Sequence, residues 1–336
     1  MKDVFILGIE SSCDETSMSI IKNGCEEVAT TVLTQMDTHA EYGGVVPEIA
    51  SRMHTENITI VSEDLLKKSN MTIDQVDAIA VTYGPGLLGS LLVGVEAAKV
   101  LSLVYNKPLI ATHHIAGHIY ANNLVKPIEF PSLALVVSGG HTELVLMEAD
   151  YKFKVLGSTK DDAIGEVYDK VARVLDLPYP GGPNVEKYAK QGNHTYDLPI
   201  PMNNKELEFS YSGLKSAVIN IKHNAEQRGE EINKYDLARS FQDVAIDELV
   251  RKTRIALHEY KDTIKGVIVA GGVSANSFLR EEMQKLCNEE NVDLCIPPMK
   301  YCTDNAAMIA CAAYPKYLKG EFSDLSLDAK SSVELY

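Results

Sequence analysis

The residues best suited to chemistry lie in a short histidine-rich run, residues 112–120 (THHIAGHIY). Within it, His114 and His118 stand four positions apart, and His113 is directly beside them. Residues with that spacing share one face of a helix, where two imidazoles can bind one metal ion. The zinc-protease motif with the same spacing needs a glutamate directly after its first histidine, and this chain has Ile115 there. The run therefore predicts a metal site and argues against a protease of that class.

A metal site needs a further ligand, and Asp304 is the best-placed candidate. It lies in the polar segment 301–305 (YCTDN), directly before an apolar helix predicted over residues 306–314. The same position also suits a helix N-cap, because an aspartate accepts hydrogen bonds from the first helical N–H groups. Two imidazoles and one carboxylate suit a divalent transition metal such as iron or zinc, and the sequence does not rank these two.

Acidic side chains elsewhere could serve a second chemical role. Asp14 and Glu15 lie in the polar segment 10–16 (ESSCDET), where they could bind Mg²⁺ or accept a proton, or could simply be exposed turn residues. A second group of acidic residues predicts an acidic helical face, which could serve chemistry or could simply be a solvated surface. Its members are Asp161, Asp162, Glu166 and Asp169.

Two stretches of the chain follow one plan, which begins with a hairpin. Strands predicted over residues 4–9 and 17–21 flank the first polar turn. Strands predicted over residues 133–137 and 143–147 flank a second turn, SGGHT, at 138–142. Both hairpins have turns rich in small polar or acidic residues, so the sequence indicates a repeated unit.

Each hairpin is followed by a strand whose end is rich in glycine and opens a helix. Residues 78–81 precede YGPG (83–86), and residues 266–270 precede GGVSAN (271–276). Glycine lets a backbone approach a ligand closely, and a helix N-terminus offers free N–H groups. A hairpin and a strand–glycine–helix unit, both occurring twice, predict a duplicated α/β domain with a nucleotide-sized cleft between the copies.

The remaining elements are predicted more coarsely. Apolar periodicity predicts helices, and proline and glycine predict loops. The predicted helices cover residues 46–68, 235–260 and 277–287, the predicted loops cover 179–183 and 197–204, and a partly loose end covers 323–336.

Composition excludes several classes of protein. The net charge of −15 over 336 residues argues against non-specific coating of nucleic acid. The apolar stretch 87–105 carries Glu96 and Lys99, so we expect no membrane span. The six cysteines form no C-x-x-C pair, and no signal peptide is evident, so we expect reduced thiols and a cytoplasmic location. The densest basic spots are Lys67, Lys68, Arg251, Lys252 and Arg254.

Together, ten motifs resemble the tRNA adenosine threonylcarbamoyltransferase family, TsaD in bacteria. Their order, over nearly the whole chain from residue 9 to about 312, makes the match specific. They are GIESSCDET (8–16), YGGVVPEIASR (42–52), GPGLLGSLLVG (86–94), HHIAGHIY (113–120), SGGHT (138–142), DDAIGEVYDK (161–170), YPGGP (179–183), FSYSGLK (209–215), GGVSAN (271–276) and CTDNAAMIA (302–310).

The resemblance implies a fold and a division into subdomains. The fold is α/β, with duplicated actin-like, sugar-kinase-like (ASKHA, RNase H-like) subdomains and an interdomain nucleotide and metal cleft. We expect an N-terminal subdomain over residues 1–110 plus 305–336 and a C-terminal subdomain over 111–304.

The resemblance also implies a reaction and its site residues. A threonylcarbamoyl group passes from threonylcarbamoyl-AMP to the exocyclic amine of the adenosine 3′-adjacent to the anticodon, in tRNAs that read ANN codons. The implied metal ligands are His114, His118 and Asp304, for one divalent transition metal per chain, with Mg²⁺ as a possible additional ion. The implied adenylate-binding residues are Val136, Val137, Ser138, Gly139, Gly140, Asp169, Gly182, Glu186 and Asn276. We expect Asp14 or Glu15 to act as the general base.

The family further implies two partners, a smaller paralogue (TsaB) and a P-loop ATPase (TsaE), and the charged residues in the apolar stretch 87–105 indicate that no membrane is involved. The alternative hypotheses are an ATP-dependent small-molecule kinase of the same fold, a metallopeptidase and a non-catalytic scaffold. Stoichiometric metal held by His114 and His118 would separate the transferase from the kinase, which does not call for that pair.

Overall fold

The computed structural model describes residues 2–335, and they divide into two compact units. The first runs to Ile128 and resumes at Pro297, and the second is Glu129–Ile296. The boundaries expected from the sequence, at 110/111 and 304/305, differ from these. The reason is that the histidine-rich segment packs on the helix that follows Asp304, within the first unit.

The described residues form ten strands and ten α-helices. The strands are β1 (Phe5–Glu10), β2 (Glu15–Lys22), β3 (Glu26–Thr34), β4 (Ala78–Gly84), β5 (Leu109–His113), β6 (Ser132–Val137), β7 (Thr142–Ala149), β8 (Lys152–Ser158), β9 (Gly266–Ala270) and β10 (Asp293–Cys295). The helices are α1 (Met36–Tyr42), α2 (Pro47–Ser69), α3 (Leu88–Tyr105), α4 (His114–Tyr120), α5 (Ile164–Val174), α6 (Gly181–Ala189), α7 (Ser212–Arg228), α8 (Lys234–Tyr260), α9 (Ser277–Glu290) and α10 (Ala306–Lys319).

The two units contain sheets of identical topology. The first sheet has the order β3-β2-β1-β4-β5, and the second, read from its other edge, has the order β8-β7-β6-β9-β10. In each sheet, the first three strands along the chain pair with one another in antiparallel fashion. The fourth strand pairs with the first in parallel, and the fifth pairs with the fourth in parallel. The predicted duplication of an α/β plan is therefore confirmed. The expected cleft between the copies stays a prediction.

Burial explains where each sheet lies. β1 and β6 are almost fully buried and pair on both sides, as expected for central strands that are covered on both faces. In the first unit, α10 packs against β1, β2 and α4. Its residues from Ala306 to Ala313 are all buried, which explains why this helix is apolar on every side.

Several elements were missed or bounded differently by the sequence. The short edge strands β5 and β10 and the outer strands β3 and β8 carried no strong pattern. We predicted that the helix after Asp304 would end at residue 314, yet α10 continues through Pro315 to Lys319. Packing of its buried face offsets the hydrogen bond that proline removes.

The chain end beyond residue 322 is not loose over its described part, contrary to the prediction. It forms no helix or regular strand, but its backbone is tied to the first sheet. Ser323 N–H donates to the Leu109 carbonyl at 2.8 Å, and Lys330 N–H donates to the Tyr83 carbonyl at 2.8 Å. Periodicity alone could not reveal these bonds, because they join residues far apart in the chain.

Among the described residues, one helix is long and apolar enough to meet the criteria for a membrane span. It is α3, with a mean hydropathy of 1.6 over 18 residues, and 33% of that window is buried. Core helices of folded proteins meet the same criteria, so the criteria by themselves assign α3 no membrane role. Leu91, Val95 and Ala98 of this helix lie in the core of the first unit.

Candidate functional site

The histidine-rich run adopts the conformation that its spacing predicted. β5 ends at His113, whose Nδ1 accepts a hydrogen bond from the Ile115 N–H at 3.1 Å and so begins α4. His114 and His118 lie one turn apart on this buried helix, with ring centroids 4.7 Å apart and planes at 83°. The two imidazole rings therefore lie next to each other on the same side of α4.

Asp304 lies at that same point. Its Oδ1 is 3.5 Å from His114 Nε2 and 3.1 Å from His118 Nε2, and the three potential ligand atoms lie within 4.8 Å of one another. The alternative that Asp304 caps the following helix is wrong. Asn305 is the N-cap of α10, because its side chain accepts a hydrogen bond from the Met308 N–H. Asp304 is thus left to face the two histidines.

The three side chains fit a divalent metal ion. Ligand atoms about 2.1 Å from a tetrahedral ion are separated by roughly 3.4 Å, close to the two distances observed here. His118 is 1% exposed, and neither of its ring nitrogens makes a hydrogen bond within residues 2–335. A buried imidazole without such bonds is costly unless something else satisfies it.

Glu10 is a fourth charged group at this centre. It lies at the end of β1, and its Oε2 is 3.1 Å from His114 Nδ1. Burial opposes ionisation of Glu10, but the charge of His114 and its hydrogen bond hold the pKa of this carboxyl below its usual value. Burial also disfavours a charged His114, yet Asp304 and Glu10 raise its pKa to about 9. A metal ion at Nε2 would compete with that proton.

The two acids expected to supply a base lie at the start of β2, in the same unit as the three potential ligands. Glu15 is the first residue of β2, and burial, followed by the charges of Asp304 and Asp14, raises its pKa to about 10. A cation held by Asp304 would oppose that effect. Asp14 is half-buried, and its carbonyl accepts a hydrogen bond from the Gln35 N–H at 2.9 Å.

In the second unit, the end of β6 and the turn after it hold five of the nine residues implied for the adenylate. Val136 and Val137 are buried at the strand end, whereas Gly139 and Gly140 are exposed. The turn is closed by Ser138, whose Oγ accepts a hydrogen bond from the His141 N–H at 3.1 Å. A Cβ added at either glycine would meet nothing within 4 Å, so open space lies directly above this backbone.

Three more implied residues lie on or before the helices of this unit. Asp169 on α5 accepts a hydrogen bond from the Gly181 N–H at 2.7 Å, at the start of α6. Gly182 follows, again with nothing within 4 Å of an added Cβ. Glu186 on α6 accepts hydrogen bonds from the N–H of Ser277 at 3.1 Å and from its hydroxyl at 2.5 Å. These bonds, with Lys190, overcome the effect of burial and lower the pKa of Glu186.

Asn276 has a structural role in addition to the one implied. Its Oδ1 accepts hydrogen bonds from the N–H groups of Phe278 and Leu279 and so caps α9. Its Nδ2 donates to Gln242 at 3.0 Å. The side chain is therefore held in one orientation, with both polar atoms engaged.

The acidic stretch 161–169 is not one solvated helical face. Asp161 and Asp162 precede α5, and Asp161 accepts a hydrogen bond from the Tyr211 N–H at 2.8 Å. Asp162 pairs with Lys170 at 2.8 Å and with Lys215. These carboxylates therefore tie the start of α5 to α7, whereas Asp169 contacts the start of α6.

The basic spot at 251–254 is not a free surface either. Lys252 is fully buried and donates to Asn204 Oδ1 at 2.8 Å, and Arg251 donates to the Pro201 carbonyl at 2.8 Å. Arg254 pairs with Glu289 at 2.7 Å. Lys252 is therefore neither an exposed helical charge nor an accessible contact for RNA.

Glu10 is the residue that sequence analysis missed. The available signal was a single carboxylate that directly follows an apolar strand. We assigned this carboxylate to the turn. The structure places it in β1 and against His114.

Comparisons with known proteins agree with this arrangement. A family model described as tRNA N6-adenosine threonylcarbamoyltransferase (TsaD) matches residues 26–311. A protein of that name from Anoxybacillus flavithermus is 55% identical over 336 residues, which covers 99% of this chain and 98% of the relative. One from Staphylococcus haemolyticus is 52% identical over 335 residues, covering 99% of this chain and 97% of the relative.

Solved structures resemble the fold at low sequence identity. HypF from T. kodakarensis gives a TM-score of 0.62 at 14% identity, covering 97% of this chain and 49% of that one. Component A of (R)-2-hydroxyglutaryl-CoA dehydratase from Acidaminococcus fermentans gives 0.55 at 15% identity, covering 94% and 99%. These likenesses support the predicted actin-like α/β architecture and carry no functional assignment. The family match and the relatives' identity over almost the whole chain show that this chain belongs to the tRNA N6-adenosine threonylcarbamoyltransferase family.

Proposed function

We propose that this chain transfers a threonylcarbamoyl group from threonylcarbamoyl-AMP to the exocyclic amine of a tRNA adenosine. The acceptor is the adenosine 3′-adjacent to the anticodon in tRNAs that read ANN codons. A C–N bond forms between the amine and the carbamoyl carbon, and AMP leaves as the anhydride bond breaks. The observation that carries the proposal is the convergence of His114, His118 and Asp304, in a chain of this family.

His114, His118 and Asp304 hold one divalent transition metal, iron or zinc, through two imidazole nitrogens and a carboxylate oxygen. A bound ion supplies Lewis-acid stabilisation of the negative charge that develops on the acyl oxygen. The substrate is already an activated anhydride, so the chain needs no covalent nucleophile of its own.

The adenylate is held by residues of the second unit. Open space over Gly139, Gly140 and Gly182 supports close approach of a phosphate to the backbone there. Asp169 and Glu186 accept hydrogen bonds from ribose hydroxyls through lone pairs that their protein partners leave free. Ser138 and Asn276 keep this surface rigid through the turn and the α9 cap.

Asp14 or Glu15 accepts the proton of the attacking amine. Both lie at the start of β2, in the same unit as Asp304, and the charge of Asp304 acts on the Glu15 carboxyl, which supports this role. A general base in this position raises the reactivity of a weak, aniline-like amine.

A TsaB-like paralogue and a TsaE-like P-loop ATPase assist the reaction in the cytoplasm, without a membrane. The net charge of −15 and the buried or paired state of the 251–254 basic residues support weak tRNA binding by the isolated chain. The exposed apolar side chains Val100, Leu103 and Val104 of α3 support burial of this helix against another protein. The identity of the partners rests on the family resemblance.

The decisive experiment is reconstitution from purified components. The chain is incubated with threonylcarbamoyl-AMP and unmodified tRNA, with and without the two partners, and the nucleosides are analysed by mass spectrometry. We expect threonylcarbamoyladenosine in the complete mixture, and none with His114→Ala. Single-turnover transfer should slow in Asp14→Asn or Glu15→Gln, and unchanged rates in both would refute the assignment of the base.

The same mixture tests the alternatives. Phosphorylation of a small molecule by ATP, with no modified nucleoside, would favour the kinase. Peptide cleavage dependent on His114 would favour the peptidase. Tight tRNA binding by the isolated chain at physiological salt would contradict the need for partners.

A further inference from the structure

Glu10 is an unusual residue for its position. It is fully buried at the end of β1, whose other inward residues are apolar. No lysine or arginine in the described part of the chain forms an ion pair with it. A buried carboxylate costs several kcal/mol unless partners stabilise it, so its presence requires an explanation.

Three groups of the protein hold this carboxylate. The Ser12 N–H donates to Oε1 at 2.6 Å, and the Thr82 hydroxyl donates to Oε2 at 2.7 Å. The third partner is His114, whose Nδ1 is 3.1 Å from Oε2 and also 3.1 Å from the Ser12 hydroxyl oxygen. The first two bonds fix the carboxylate, and the carboxylate and the Ser12 hydroxyl then hold the imidazole.

An ionised Glu10 favours one tautomer of His114, because a carboxylate can only accept a hydrogen bond from Nδ1. With its proton on Nδ1 and directed at Glu10, the ring presents the lone pair of Nε2 on its opposite side. That is the side on which Asp304 lies, 3.5 Å away. A metal-binding histidine commonly donates its other N–H to a carboxylate, which orients the ring and raises the basicity of the ligand nitrogen.

The duplicated fold contains an internal comparison. Register pairs Ile9 with Val81 in the first sheet and Leu135 with Val269 in the second, and both pairs face the helix-packed core of their unit. The residues that follow these pairs share the opposite face, so Glu10 corresponds to Val136, and Thr82 corresponds to Ala270. At these positions the second unit has a buried valine and a buried alanine. The strand end itself thus needs no carboxylate, and the first unit carries one only where a histidine faces it.

We propose that Glu10, held by Thr82 and the Ser12 N–H, is a positioning residue that orients His114 for metal binding. This inference rests on the metal site of the proposed function. It assigns Glu10 no direct contact with the metal or the substrate.

The test measures metal affinity directly, without the transfer reaction. Apo chains of wild type, Glu10→Gln, Glu10→Val and Thr82→Val are titrated with zinc against a chromophoric chelator. Removal of an outer partner of a metal ligand typically costs about 10–100-fold in affinity. We expect roughly 100-fold weaker binding for Glu10→Val. We expect roughly 10-fold for Glu10→Gln, whose amide oxygen can still accept the Nδ1 proton, and a smaller loss for Thr82→Val.

A matched control is available in the second unit. Glu248 is also fully buried and accepts a backbone hydrogen bond, from Ser210 at 3.3 Å. Glu248→Gln should leave zinc affinity unchanged. Cobalt substitution provides a second readout, because a misoriented His114 should change the visible absorption of the bound cobalt in both Glu10 variants.

Two results would overturn the inference, and they are distinguishable. If wild type binds one zinc and folded Glu10→Gln binds it equally well with the same cobalt spectrum, then Glu10 is structural only. If wild type binds no zinc that depends on His114 and His118, then the proposed metal site is itself wrong. Glu10→Gln is nearly isosteric, so the test does not depend on whether Glu10→Val folds.

Discussion

The two units share one topology, yet they differ at equivalent strand ends. The first unit leads from β1 into a turn through Glu10, Ser11 and Ser12, which are all buried. The second leads from β6 into a turn with the exposed glycines Gly139 and Gly140. In the first unit, the residues after β1 hold side chains in fixed positions at the candidate metal site. In the second unit, the glycines after β6 leave the backbone accessible to a ligand. One fold therefore supports two kinds of site, because the side chains at the strand ends determine the chemistry.

The same comparison extends to buried glutamates. Glu10 has a cationic partner in His114, and its pKa is lowered despite burial. Burial dominates at Glu248, and its pKa rises to about 7, although Arg251 and Lys252 oppose this. Burial alone thus does not decide ionisation, because the strength of nearby charges and hydrogen bonds determines whether its effect is overcome.

The comparison assigns the metal site to the first unit and the adenylate residues to the second. Removal of the metal ligand His118 should have the largest effect on this division. We expect His118→Ala to reduce bound metal, measured by elemental analysis, from one per chain to near zero. Transfer should fall by about three orders of magnitude, as for loss of roughly 4 kcal/mol of transition-state stabilisation. Affinity for a non-hydrolysable adenylate analogue, measured by calorimetry, should stay within about threefold because its residues lie in the second unit. Joint loss of metal and adenylate binding would contradict the division.

The reciprocal change is Gly181→Ala in the second unit. A Cβ there would lie 2.5 Å from Asp169 Cα and 2.7 Å from its Oδ1, so backbone must move. We expect the free energy of unfolding to fall by about 1–3 kcal/mol and adenylate affinity to fall by roughly tenfold, with metal content unchanged. Gly140→Ala is the matched variant, and it should weaken the adenylate analogue without lowering stability, since nothing lies within 4 Å of its Cβ. Equal destabilisation by both alanines would argue against this account.

The smallest effect concerns the pH dependence of stability. The folded Glu248 carboxyl, with a pKa of about 7, keeps a proton that the unfolded chain releases near its ordinary value of 4.5. Its stabilising contribution is therefore complete below about pH 4.5 and is lost as pH rises through 7. Glu248→Gln should flatten the decline of the free energy of unfolding between those limits by on the order of 1–3 kcal/mol. Denaturant titrations at several pH values would measure this, and an unaltered slope would refute the role of Glu248.

Sequence reasoning predicted the parts of the fold that depend on local pattern. The two hairpins, the strand β9 and the helices α2, α8 and α9 follow from apolar periodicity and glycine position. The short strands β5 and β10 could not be predicted, because three to five residues carry too little pattern and owe their conformation to their neighbours. The spacing of His114 and His118 was sufficient to predict their shared face.

Contacts between residues distant in the chain determined the other features of the site. Asp304 faces His118 because Asn305, not Asp304, is the N-cap of α10. The sequence does not show which of the two is the cap, since both aspartate and asparagine are common N-caps. Lys252 is buried because loop carbonyls surround it, although its sequence context is a basic run. The amino-acid sequence by itself determined the duplicated plan and the chemical types available at its strand ends, since these depend on periodicity and residue identity. Only the tertiary structure decided that Glu10 meets His114, because 104 residues separate them and no local pattern reports a contact over that distance.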